Sequence, residues 1–243
     1  AVSAYLSTKS LAEVDRVKRD IIRLYDKDFI RIDPTGKASA MFKAIPSELT
    51  RNSSRYQVAS VTENGRANRL LETITNMGES MVVNMAYHAN DPGPGMAFHK
   101  DTSTFKMFVG DTGLFVTLAF WDKEFTDNVI YQKLLTDKLS KDLGYVYENV
   151  VAQMLVASGN ELYYHTFPTE SGKHRYEVDF LIPDGDKVVP IEVKSSGYKA
   201  HVSLDAFCTK FSSRVSRPYL IYTKDLRKEG NLLYLPVYMT MFL

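Results

Sequence analysis

Cysteine is almost absent: Cys208 is the one thiol in 243 residues. A single thiol forms no intramolecular disulfide and builds no cysteine-rich zinc site, and this usage fits a reducing, cytoplasmic location. No apolar run reaches the roughly 20 residues needed to cross a bilayer, so no membrane association is expected. No secretory signal is read ahead of the first helix. The chain starts at Ala1 without methionine, which reads as a piece of a longer protein. Net charge is lacking too. Thirty Lys and Arg stand against 29 Asp and Glu, a formal +1, which excludes polyanion binding through bulk charge alone. Several catalytic signatures are missing. There is no phosphate-cradling G-x-x-x-x-G-K-[ST], no G-x-S-x-G elbow, and no metal-ligand spacing such as HExxH among His88, His99, His165, His174 and His201.

What is present is an ordinary globular composition, 44% hydrophobic and 24% charged, in a chain long enough for one substantial domain or two small ones. The charge is uneven: residues 1–60 hold 11 Lys and Arg against 7 Asp and Glu. That asymmetry is compatible with nucleic acid touching the N-terminal part. Residues 10–32 carry apolar side chains at helical spacing (Leu11, Val14, Val17, Ile21, Leu24), with Ser10 and Glu13 in a capping-box pattern. Pro34-Thr35-Gly36 ends that helix. Residues 38–110 read as three short helices and a hairpin, the last helix lined by Ala67, Leu70, Leu71, Ile74 and Met77 and the hairpin turned by Asp91-Pro92-Gly93-Pro94-Gly95. This is the outline of a winged-helix module, which serves either as a DNA reader or as a joint between proteins or domains. As a DNA reader it would offer Arg66 and Arg69 to base edges and Arg51 and Arg55 to phosphates. Residues 111–115 turn into a further helix, and 120–143 read as a polar, moderately helical connection.

The most organised stretch is RYEVDFLIPDGDKVVPIEVKSS, residues 175–196. Val178, Phe180 and Ile182 alternate with Glu177 and Asp179, and Val189, Ile191 and Val193 alternate with Glu192 and Lys194. Each run therefore reads as a strand with one apolar and one charged face. Pro183-Asp184-Gly185-Asp186 supplies the turn between them. A helix at 144–160 precedes them with Glu148 and Gln153 as its polar residues, followed by a strand at 162–167. A helix from 203 and strands at 218–222 and 232–236 come after. Two carboxylates and a lysine brought together suggest a divalent-metal site. The same residues also read as an ordinary strand-face ion pair, worth about 0–1 kcal/mol.

The element order and the pattern Asp179…Glu192-Val193-Lys194, with Glu148 on the preceding helix, resemble the PD-(D/E)XK nuclease superfamily. Val178 stands where that superfamily's proline would be. GDTGL at 110–114, YENVVAQML at 147–155, YEVDFLI at 176–182 and PIEVKSS at 190–196 further resemble the C-terminal region of a prokaryotic AAA-type ATPase family, a winged helix followed by a nuclease-like domain of unknown function. His165-Thr166 replaces the Trp-Arg pair often seen there. The resemblance implies an α/β fold: a restriction-endonuclease-like mixed sheet flanked by helices, preceded by an α+β winged-helix domain. Its parts would be an N-terminal helical segment at 1–37, the winged helix at 38–118 and the nuclease-like domain at 119–243. It implies Mg²⁺ or Mn²⁺ on Asp179, Glu192 and the Val193 carbonyl, with Glu148 assisting. Lys194 would orient or help deprotonate the attacking water, and Gln153 would steady the site. ATP would bind only to an ATPase domain absent from this chain. The expected partners are DNA and that ATPase domain, and a homo-oligomer is compatible with all of this. The activity implied is hydrolysis of DNA phosphodiester bonds; the competing reading is a non-catalytic module that positions the ATPase on DNA or protein.

Overall fold

Ser10 has extended backbone, and its hydroxyl accepts the Glu13 amide at 3.3 Å, opening a long helix. The computed structural model describes residues 1–51, 53–61, 70–122 and 144–243. A short helix α1 (Val2–Thr8) precedes the capped α2 (Leu11–Ile32), and α3 spans Lys37–Thr50. A 3₁₀ turn follows at Val58–Ser60, then α4 (Leu71–Glu79). The strands β1 (Val83–Ala89) and β2 (Lys100–Val109) form an antiparallel hairpin that leads into α5 (Thr112–Ala119). After 143 come α6 (Gly144–Ala157), β3 (Leu162–Pro168), β4 (Arg175–Asp184), β5 (Lys187–Lys194) and α7 (Val202–Lys210). The strands β6 (Tyr219–Tyr222), β7 (Arg227–Glu229) and β8 (Leu232–Pro236) complete the chain before a terminal 3₁₀ turn. Among the described residues no helix is long and apolar enough to cross a membrane.

Among the described residues, the eight strands join one mixed sheet, in the order β2-β1-β3-β4-β5-β6-β8-β7. This is the mixed sheet with flanking helices expected above. The hairpin expected to serve as a wing belongs to this same sheet: β1 pairs in parallel with β3 through Ala86, Tyr87 and His88. Hydrogen bonding therefore runs unbroken across the expected boundary at 118/119. The first of the paired strands begins later than the sequence suggests, and the second begins earlier, at Lys100. Met81, expected inside a strand, is exposed with φ 59°, and β1 starts at Val83. The expected connection at 120–143 lies outside the described residues from 123 onward.

Helix α6 covers one face of the sheet, where Val151, Ala152 and Leu155 pack on Phe108, Tyr164, Phe180 and Ile191. On the other face Phe207 of α7 meets Val178, Leu181 and Val188. A third cluster, centred on Phe42, Ile45, Ile74, Met107 and Phe115, binds α2–α5 to the hairpin. Each such side chain, fully buried, contributes about 1.5–3 kcal/mol.

The GDTGL stretch joins these layers. A Cβ on Gly110 would stand 2.9 Å from the Met81 carbonyl oxygen, so only glycine lets the two backbones approach. Asp111 caps α5 by accepting the Leu114 amide at 2.8 Å. Gln153 accepts the Thr112 amide and hydroxyl at 2.9 and 2.8 Å. It thus steadies α5 rather than the acidic cluster, a correction to its expected place. Asn149, fully buried, accepts the Val109 amide at 2.8 Å and donates to the Val109 carbonyl at 3.0 Å. This pair fixes α6 against β2. Asn149→Ala is therefore expected to cost about 2–3 kcal/mol, because both backbone groups of Val109 lose their partner in the core. The check is the denaturant midpoint, which falls while its slope stays constant.

Candidate functional site

The ladder between β4 and β5 runs from Asp184 opposite Lys187 to Phe180 opposite Ile191 and stops there. Gly185, with φ 60°, makes the tight two-residue turn that sets this register. One step further, Asp179 lies beside Glu192. In place of a ladder bond, Asp179 Oδ2 accepts the Val193 amide at 2.7 Å. Against β3, Tyr163 faces Leu181 while His165 faces Val178, so β4 carries one extra residue at Asp179–Phe180. Bulges of this kind re-aim side chains beside functional sites.

Six charged groups meet here. Lys194 Nζ lies 2.6 Å from Glu192 Oε1. Lys106, from β2, pairs with Glu177 and stands 4.0 Å from Glu148 of α6. Burial raises the Asp179 carboxyl well above the ordinary range, and the neighbouring Glu192 and Glu148 raise it further. Burial also raises Glu148, opposed by Lys106 and reinforced by Glu177, and it raises Glu192 against the pull of Lys194. Burial alone would push both ammonium groups down. Glu177, Glu148 and Asp179 reverse this for Lys106, and Glu192 leads the reversal for Lys194. Both ammonium groups hold their protons more tightly than usual, which makes Lys194 a partner for negative charge rather than a base.

The structure thus brings together the expected Glu148, Asp179, Glu192 and Lys194, with Val193 engaged through its amide. It adds Glu177 and Lys106. Glu177 was visible as the first acid of the alternating Glu177-Val178-Asp179. Lys106 carried its own signal, a lysine set among Phe105, Met107, Phe108 and Val109; a charge in so apolar a strand needs a counter-charge.

A cleft of about 530 Å³ opens on this cluster, with Lys106, Glu148 and Glu177 in its lining. Arg51, Arg55, His174 and Arg175 line the same cleft. Arg51 is held by the buried Glu48 at 2.6 Å, and Arg175 is anchored on the Thr166 carbonyl at 2.8 Å. The two arginines expected to meet phosphates therefore line the same cleft as Glu148 and Glu177. Arg66 and Arg69 lie outside the described residues.

Among the described residues no group of three or more His, Cys, Asp or Glu side chains is arranged to hold a metal ion. The donor chemistry nevertheless suits Mg²⁺ or Mn²⁺, which take hard carboxylate oxygens. Glu192 Oε2 is buried and has no hydrogen-bond partner. Four carboxylates against two ammonium groups also leave the cluster two positive charges short when fully ionised. Residues 143–239 match a family model described as a domain of unknown function, DUF4143. No curated protein and no solved structure matches the chain.

A raised carboxyl means that ionising Asp179 costs folding stability at neutral pH. The cost is absent below about pH 4, where the group is protonated in both folded and unfolded chains, and it grows as pH rises toward the folded-state value. Asp179→Asn keeps an acceptor for Val193 and removes the charge. It is expected to raise the melting temperature at pH 7, by roughly 2–4 °C for each kcal/mol relieved, and to leave it unchanged near pH 3.5. Thermal melts at the two pH values, without divalent cations, check this.

Proposed function

We propose that the acidic cluster binds a divalent cation and that the chain hydrolyses phosphodiester bonds of nucleic acid, with DNA as the expected substrate. The observation that carries this reading is a half-buried acidic cluster two positive charges short, whose Glu148 and Glu177 line a cleft that also holds Arg51, Arg55 and Arg175. Asp179 and Glu192 would hold Mg²⁺ or Mn²⁺, with Glu148 beside them and the Val193 amide fixing Asp179. When bound, the ion lowers the pKa of its water and offsets charge developing on the phosphate. Lys194 stays protonated beside Glu192, so it steadies that carboxylate and stabilises negative charge on the phosphoryl oxygens. Glu148, with its raised proton affinity, is the carboxylate suited to take a proton from water. Arg55 and Arg51 grip the strand at its phosphates and carry no sequence information.

The match to DUF4143, a domain often found with AAA-type ATPases, supports placing the chain as the C-terminal part of such an ATPase, with ATP bound only by the ATPase domain. A second reading is favoured by the two lysines that already answer half of the carboxylates. On that reading the fold is a non-catalytic module that positions the ATPase on DNA or protein.

Cleavage of plasmid and oligonucleotide DNA with Mg²⁺ or Mn²⁺ separates the two. Asp179→Ala and Lys194→Ala are each expected to reduce cleavage by about 100-fold or more. Equal activity in wild type and both variants would mark a contaminant and end the nuclease reading. No cleavage by the wild type, with DNA binding intact in Asp179→Ala, supports the second reading. Arg55→Ala is expected to weaken DNA binding evenly across sequences and to lower the slope of log K against log salt by about one.

A further inference from the structure

We infer that Lys106 is a built-in counter-cation that limits the acidic cluster to one divalent ion. This rests on the metal-binding reading above and extends it to stoichiometry. Lys106 sits on β2, outside the stretch 143–239 that matches the family model. It is 7% exposed in a strand otherwise apolar from Phe105 to Val109, and its ammonium lies 5.3 Å from the Tyr164 ring centroid. Its carboxylate partners are Glu177, in direct contact, and Glu148 at 4.0 Å.

The two lysines bracket the cluster from opposite sides. Lys106 answers the Glu177 and Glu148 side, and Lys194 answers Glu192 at one oxygen only. The open acceptor capacity is therefore on the Asp179–Glu192 side, where Glu192 Oε2 lies buried without a partner. One divalent ion there supplies the two missing charges. Two-metal sites hold their ions about 3.5–4 Å apart, with carboxylates around both. A second ion here would need Glu148 and Glu177, and the Lys106 ammonium already stands between them with the same sign of charge. Its position is set independently of any ligand, since Asn149 clamps Val109 of the same strand to α6. Removing the ammonium leaves the cluster three charges short and frees both glutamates, which makes room for a second ion.

The test is calorimetric titration of Mn²⁺ into the chelator-stripped full chain, with stoichiometry as the readout. Wild type is expected to bind one ion. Lys106→Met and Lys106→Gln are expected to bind two, the second more weakly. Lys106→Arg keeps the charge and is expected to bind one. Two ions on the wild type overturn the inference whether or not the variants fold. One ion on folded Lys106→Met or Lys106→Gln overturns it while leaving the metal-binding reading intact. No ion on the wild type overturns that reading, and the inference with it.

Discussion

Repulsion among Glu148, Glu177, Asp179 and Glu192 is the constraint around which this part of the molecule is arranged. Carboxylates crowded together and partly withdrawn from water are costly unless cations answer them. The chain answers two charges with lysines drawn from opposite sides of the cluster, Lys106 from β2 and Lys194 from β5. Burial first, and the neighbouring carboxylates after it, raise the proton affinity of Asp179, Glu148 and Glu192 together. On the proposed reading, a cluster left in that condition gives up stability for the capacity to bind a divalent cation, and functional sites are where such trades are common.

Holding the charges in place requires the layers to be locked together. Asn149 and Gln153, one turn apart on α6, bind β2 and the start of α5. Glu148, next to Asn149, is thereby held over the sheet beside Lys106. The hairpin contributes through β1, which pairs with β3 and so brings β2 to the acidic cluster. The N-terminal helices then supply the cleft's other wall, because Arg51 and Arg55 follow α3 directly. The site is therefore shared between the region that matches DUF4143 and the region before it.

Much of this was legible in the sequence where the signal is local. Alternation at 177–182 and 189–194, with a Gly-containing turn between, marked β4 and β5 and placed Asp179 near Glu192. The bulge at Asp179–Phe180 was not legible. It turns Val178 toward α7 while Phe180 and Ile182 face α6, in place of the single apolar face expected for the three. Helical spacing around Glu148 marked α6. Non-local pairing left weaker traces. Lys106 and Glu177 are 71 residues apart, so the lysine advertised a missing partner without naming it. The parallel pairing of β1 with β3 has no local pattern at all. Strand β7, Arg227-Lys228-Glu229, is exposed throughout and carries no apolar period to reveal it. Gln153 was misplaced because its polar side chain on α6 suggested the cluster, whereas its partner is the Thr112 turn.

The most direct measurement of the central claim is anomalous diffraction from a crystal of this chain soaked in Mn²⁺. The expected result is one anomalous peak touching carboxylate oxygens of Asp179 and Glu192, with Lys106 still paired to Glu177. A cluster with no peak, its carboxylates answered by Lys106 and Lys194 alone, would contradict it.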